Sequence, residues 1–70
     1  MPKLPVLRPR EIISRLENLG FVVVRQRGSH AQLKSGNLLV TVPVHSGTLD
    51  KGTLKSILRQ AKIGIQDLLL

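Results

Sequence analysis

Seventy residues allow one domain with one thin core, because a chain this short buries only about 60% of the surface its unfolded form exposes. Hydrophobic residues make up 41% of the chain and Phe21 is the one aromatic, so the core must be built from Leu, Ile and Val; with no cysteine, disulfides and thiolate metal sites are excluded. Eleven Lys and Arg against four Asp and Glu give a formal net charge of +7, a strong field on so small a body, which points to nucleic acid ahead of an acidic protein or an anionic membrane surface.

The longest apolar runs are only a few residues, and Met1 to Pro9 lacks an apolar segment with a small-residue cleavage site, so the reading is a cytoplasmic protein forming a single domain over 1–70. Residues 1–8, with Pro2 and Pro5, read as a loose N-terminal arm. Pro9 suits the first turn of a helix and Glu11 favours its positive end, while Arg8 is a poor N-cap. Ile12, Ile13, Leu16 and Leu19 recur at helical spacing and Gly20 supplies a left-handed stop, which predicts a helix over about 9–19. Phe21 to Arg27 is β-branched and reads as a strand, His30 to Lys34 alternates polar and apolar, and Leu38 to Val42 is a third strand ended by Pro43. Gly28-Ser29 and Gly36-Asn37 supply the two turns between them. After a loop at 43–50, Asp50 can cap a second helix whose buried face is Leu54, Ile57, Leu58 and Ala61. Gly64 breaks that pattern, and Ile65 to Leu70 reads as one short turn laying leucines on the core.

Two-residue turns fix the register. Arg27 falls opposite His30, Arg25 opposite Gln32, Gln32 opposite Thr41 and Leu33 opposite Val40. One face then holds Val22, Val24, Ala31, Leu33, Leu38, Val40 and Val42, and is expected to be the core face. The other holds Arg25, Arg27, His30, Gln32, Lys34 and Thr41. The expected fold is therefore α+β, in the order α-β-β-β-α: a three-stranded antiparallel sheet with both helices on its apolar face and its polar face open to solvent.

His30 is the leading chemical candidate on that open face, since histidine takes or gives a proton near neutral pH. Cleavage of RNA needs a base near the 2′-OH, cations for the charge developing on phosphorus and an acid for the leaving oxygen. His30 could serve as base or acid; Arg25, Arg27 or Lys34 could hold the phosphate; Ser29 could add a hydroxyl and the Gly28 or Ser29 amide a donor. The plainer alternative is a histidine that only decorates a solvated strand. His45, in the loop after Pro43, is the second candidate, set against an ordinary loop histidine. Two histidines and four scattered acids make a poor case for zinc, so neither a metal nor a cofactor is expected. Lys51, Lys55, Arg59 and Lys62 form a basic stripe on the second helix with no acid interleaved over 51–66, and Lys51 and Lys55 near its N-terminus would meet phosphate. The lack of aromatics argues against base stacking and for recognition of backbone and shape.

The segments Leu19-Gly20-Phe21, Gly28-Ser29-His30, Val42-Pro43-Val44-His45 and Gly52-Thr53-Leu54-Lys55-Ser56-Ile57-Leu58-Arg59-Gln60-Ala61 occur in an order and spacing that resemble the HicA family of toxins, from about residue 8 to 66. The resemblance implies a fold like the double-stranded-RNA-binding domain, an mRNA interferase activity, and a HicB-type antitoxin as partner. It assigns the catalytic role to the histidine of the Gly-Ser-His segment, His30. The chain departs from the family pattern in two places: its arm lacks a polar cap before the first helix, and Lys62 stands where a glycine is expected after Gln60-Ala61, with Gly64 two positions on. A non-catalytic RNA-binding module of the same fold, or a basic adaptor for an acidic protein, are the alternative readings.

Overall fold

The first helix, α1 (Pro9–Asn18), begins at Pro9 because its missing N–H is not needed there. The Arg8 side chain caps nothing, but its backbone N–H donates to Glu11 Oε1 at 2.9 Å, so the acid in the first turn supplies what the N-cap residue cannot. Gly20, at φ 101°, ends the helix: the amides of Gly20 and Phe21 donate back to Glu17 and Leu16, and Phe21 turns into the core. Ile12 and Leu16 are fully buried, whereas Leu19, past the last helical residue, is left partly exposed rather than on the apolar face expected for it. The coordinates, a computed structural model, describe residues 5–69.

Three strands follow as a meander in spatial order β1 (Val22–Arg27), β2 (His30–Ser35) and β3 (Leu38–Pro43). Gly28 and Gly36, at φ 56° and 58°, take the left-handed first position of each two-residue turn. Arg27 pairs with His30, Arg25 with Gln32, Gln32 with Thr41 and Leu33 with Val40, as the turns require. Ala31, Leu33, Val40 and Val42 are fully buried beneath the helices.

At the start of β1 the expected core face needs correcting. The β1–β2 register shifts between Val23 and Arg25, a bulge that leaves Val24 unpaired. Val22 then pairs with Lys34 on the open side and Val23 with Leu33 on the core side. Val22 is 61% and Val24 55% exposed, and Val23 is the valine that packs against the core.

The second helix, α2 (Lys51–Ala61), starts at Asp50, whose Oδ1 accepts from the Thr53 amide at 3.3 Å. Leu54, Ile57 and Ala61 are buried against the sheet, with Leu58 partly so. Lys62 ends it in the left-handed region at φ 56°, where the Lys62 and Ile63 amides donate to Arg59 and Leu58. A short turn, α3 (Ile65–Leu68), buries Leu68, whose carbonyl accepts from Arg15 Nη1 at 2.7 Å and so ties the chain end to α1. Leu70 lies outside the described residues. Gln60 reaches from α2 to β3, its Oε1 accepting the Thr41 amide at 2.9 Å.

The arm expected over 1–8 is anchored at its inner end. Leu7 is buried, and its carbonyl accepts from the Leu49 amide at 2.8 Å. Residues 1–4 of that arm lie outside the described residues. Leu7 precedes Arg8, the N-cap of α1, and Leu49 precedes Asp50, the N-cap of α2, so this one bond sets the two helix N-termini side by side.

Candidate nucleic-acid interface

Period-two alternation along β2 sends Ala31 and Leu33 inward and His30, Gln32 and Lys34 outward. Antiparallel pairing then builds three cross-strand rows on the open face. Nearest the Gly28-Ser29 turn stand Arg27, His30 and Pro43; in the middle Arg25, Gln32 and Thr41; farthest away Val22, Lys34 and Leu39. The face is graded, from cationic beside one turn to largely apolar beside the other.

Arg25, Arg27, His30 and Gln32 together line a depression of about 270 Å³. The two arginines and the histidine are exposed and Gln32 is half-buried. An imidazole and two guanidinium groups thus share one depression: guanidinium groups can hold anionic oxygens and an imidazole can transfer a proton. Gln32, an amide able to donate and accept, was legible on the face but not as a site residue.

The other candidates are placed around this depression. Gly28 and Ser29 form the turn that carries His30, and the Ser29 carbonyl accepts the Val44 amide, which fastens the turn to the loop after β3. Lys34 lies in the apolar row and does not line the depression. Lys51 and Lys55 are exposed in the first turns of α2, on the helical layer, also away from it. His45 faces elsewhere: it lines a separate cavity of about 320 Å³ with Arg8, Pro9, Arg10, Val44, Ser46 and Gly47. Its Nδ1 donates to the Ser46 carbonyl at 2.8 Å, since a carbonyl oxygen can only accept. Asp50 is held below its ordinary value of 3.8 by its hydrogen bonds from Thr53, with a smaller contribution from the nearby His45.

Among the described residues no group of three or more His, Asp or Glu side chains is placed to hold a metal ion, and no helix is long and apolar enough to cross a membrane.

The element order, the three-stranded meander and the helices on one face define an α+β domain of the double-stranded-RNA-binding type. The family model described as HicA toxin of bacterial toxin–antitoxin systems matches residues 9–63, which runs from the first residue of α1 past the end of α2. The chain belongs to the HicA toxin family. Comparison with curated proteins gave no match.

Proposed function

We propose that this chain is the ribonuclease of a toxin–antitoxin pair, binding messenger RNA on its open sheet face and cutting it through His30 without a metal ion or cofactor. Membership of a toxin family supports the toxin role. The observation that carries the chemistry is the shared depression of His30, Arg25, Arg27 and Gln32.

In the reaction that fits this arrangement, the 2′-oxygen of a ribose forms a bond to the adjacent phosphorus as the bond from phosphorus to the 5′-oxygen breaks. The 2′-OH gives up its proton and the 5′-oxygen receives one, leaving a cyclic phosphate and a 5′-hydroxyl. His30 takes the first proton or supplies the second, and the guanidinium groups of Arg25 and Arg27 stabilise the extra negative charge on the phosphorus oxygens. Ser29 and the Gly28-Ser29 amides border the same edge, and Lys34, Lys51 and Lys55 add to the field that gathers RNA. The site of action is the cytoplasm, where messenger RNA is found.

A HicB-type antitoxin would silence such a site most directly by covering the face that bears His30. RNA and antitoxin then compete, and a ternary complex seen in a binding titration would count against it.

The test is incubation of the protein and its His30→Ala variant with a long RNA in EDTA. His30→Ala should lower the cleavage rate by about 10²- to 10⁴-fold while RNA affinity stays within a few-fold. Equal cutting by both removes His30 from the chemistry, and salt-sensitive binding with no cutting by either makes the domain a binding module.

A further inference from the structure

The cavity beside the two helix N-termini has a feature that the open sheet face does not explain. Arg8 is the N-cap of α1 and Arg10 its second residue, so both cations sit at the positive end of the helix dipole, where they are unfavourable. Lys51 repeats the pattern in the first turn of α2, which has no acid in it. The Leu7–Leu49 bond brings these two ends together. His45 lines the cavity from the loop, its Nδ1 held by the Ser46 carbonyl. The two acids nearby are already engaged: Glu11 Oε1 with the Arg8 amide and Asp50 Oδ1 with the Thr53 amide. Two arginines at the positive end of a helix, lining with a histidine a cavity whose own walls carry no acid, break a local rule in the way functional sites do.

The position of this cluster indicates what it serves. The Val44 amide donates to the Ser29 carbonyl, and His30 is the Cα partner of Pro43, so only the end of β3 separates the cavity from the depression at His30. The cavity has a volume of about 320 Å³. We propose that Arg8, Arg10 and His45 form a second phosphate subsite, which holds the backbone of the same RNA strand after it passes His30. The inference rests on the RNA-cutting reading above and adds to it a direction for the strand: across the open face, over the Ser29–Val44 junction and down to the paired helix ends.

Binding is measured in a His30→Ala background, so that the RNA survives, by anisotropy of a labelled single-stranded RNA over a range of salt. Adding Arg8→Gln and Arg10→Gln should weaken binding about tenfold and flatten the log K against log salt slope by about 0.7 for each phosphate that is no longer neutralised. A charge-matched control, Arg59→Gln with Lys62→Gln at the far end of α2, should lower affinity less and leave the slope closer to that of the parent. With His30 restored, Arg8→Gln/Arg10→Gln should slow the cutting of long RNA while leaving a dinucleotide, too short to reach the cavity, cut at the same rate. A parent that binds while the Arg8/Arg10 variant matches it, or a control that weakens as much, overturns the subsite alone. A parent that binds no RNA at low salt overturns the subsite and the RNA reading together.

Discussion

The two faces of the sheet share the same six residues of β2 and obey opposite rules. Ala31 and Leu33 are sealed under the helices, where a missing methyl group leaves a void the surroundings cannot fill. His30, Gln32 and Lys34 stand on the other side, where no helix covers them and a side chain can change with little effect on packing. One strand thus holds the domain together with its odd-numbered residues and presents its chemistry with the even-numbered ones. Stability and activity are separable here residue by residue, which gives the comparison its experimental edge.

The largest effect should come from Leu33→Ala, at about 2–5 kcal/mol, a large part of the roughly 5–15 kcal/mol that holds a small domain folded. Gln32→Ala, one residue away, should stay within about 0.5 kcal/mol. Denaturant melts of the two variants test this, and similar losses would show that the open face is not open. His30→Ala belongs with Gln32→Ala on this scale, so its loss of cutting cannot be put down to unfolding.

Next in size is Lys62→Gly. Lys62 holds a left-handed backbone that costs a residue with a Cβ about 1–2 kcal/mol. Relieving it at the end of α2 should stabilise the domain by about 1 kcal/mol, less whatever glycine adds to the entropy of the unfolded chain. An unchanged or lowered melting temperature would mean that the lysine side chain offsets the strain by an interaction of its own.

The smallest effect concerns acid. The Asp50 carboxyl titrates below its ordinary 3.8 when folded because hydrogen bonds from the Thr53 side chain and then the Thr53 amide stabilise its charged form. Its contribution is therefore complete above the ordinary carboxylate range and is lost as pH falls through the lowered value. Asp50→Asn keeps the cap without the titration, so the acid limb of the stability curve should become shallower; an identical limb would place the acid sensitivity elsewhere.

Much of this arrangement was legible in the sequence because glycines fix phase. Gly28 and Gly36 set both turns, and from them the pairings of Arg27 with His30 and Leu33 with Val40 follow by counting. Gly20 and Asp50 marked the end of one helix and the start of the other for the same local reasons. What failed was phase within Val22-Val23-Val24. Three identical residues carry no alternation, so nothing in that run announces a bulge, and counting back from Arg25 assigned Val22 and Val24 to the wrong side. The cavity at Arg8, Arg10 and His45 was hidden for another reason. It depends on Leu7 meeting Leu49 across most of the chain, and the only local trace was a pair of arginines at the wrong end of a helix. The glycine missing at position 62 could be noticed by resemblance, but only the backbone shows that the lysine there adopts the glycine's conformation.

In a sheet of three strands, two are edges, and an unpaired edge invites another chain to add itself. On β3 the Thr41 amide is taken by Gln60, and two residues on Pro43 has no amide to offer. On β1 the bulge at Val24 interrupts the regular ladder a newcomer would need. Both rims are thus blunted by a side chain, a proline and an extra residue. The exposed Val22, Val24 and Leu39 therefore lie on a sheet both of whose rims interrupt the regular run of edge hydrogen bonds. Gln60 is thus both a tie from helix to sheet and a cover for one amide of an open rim.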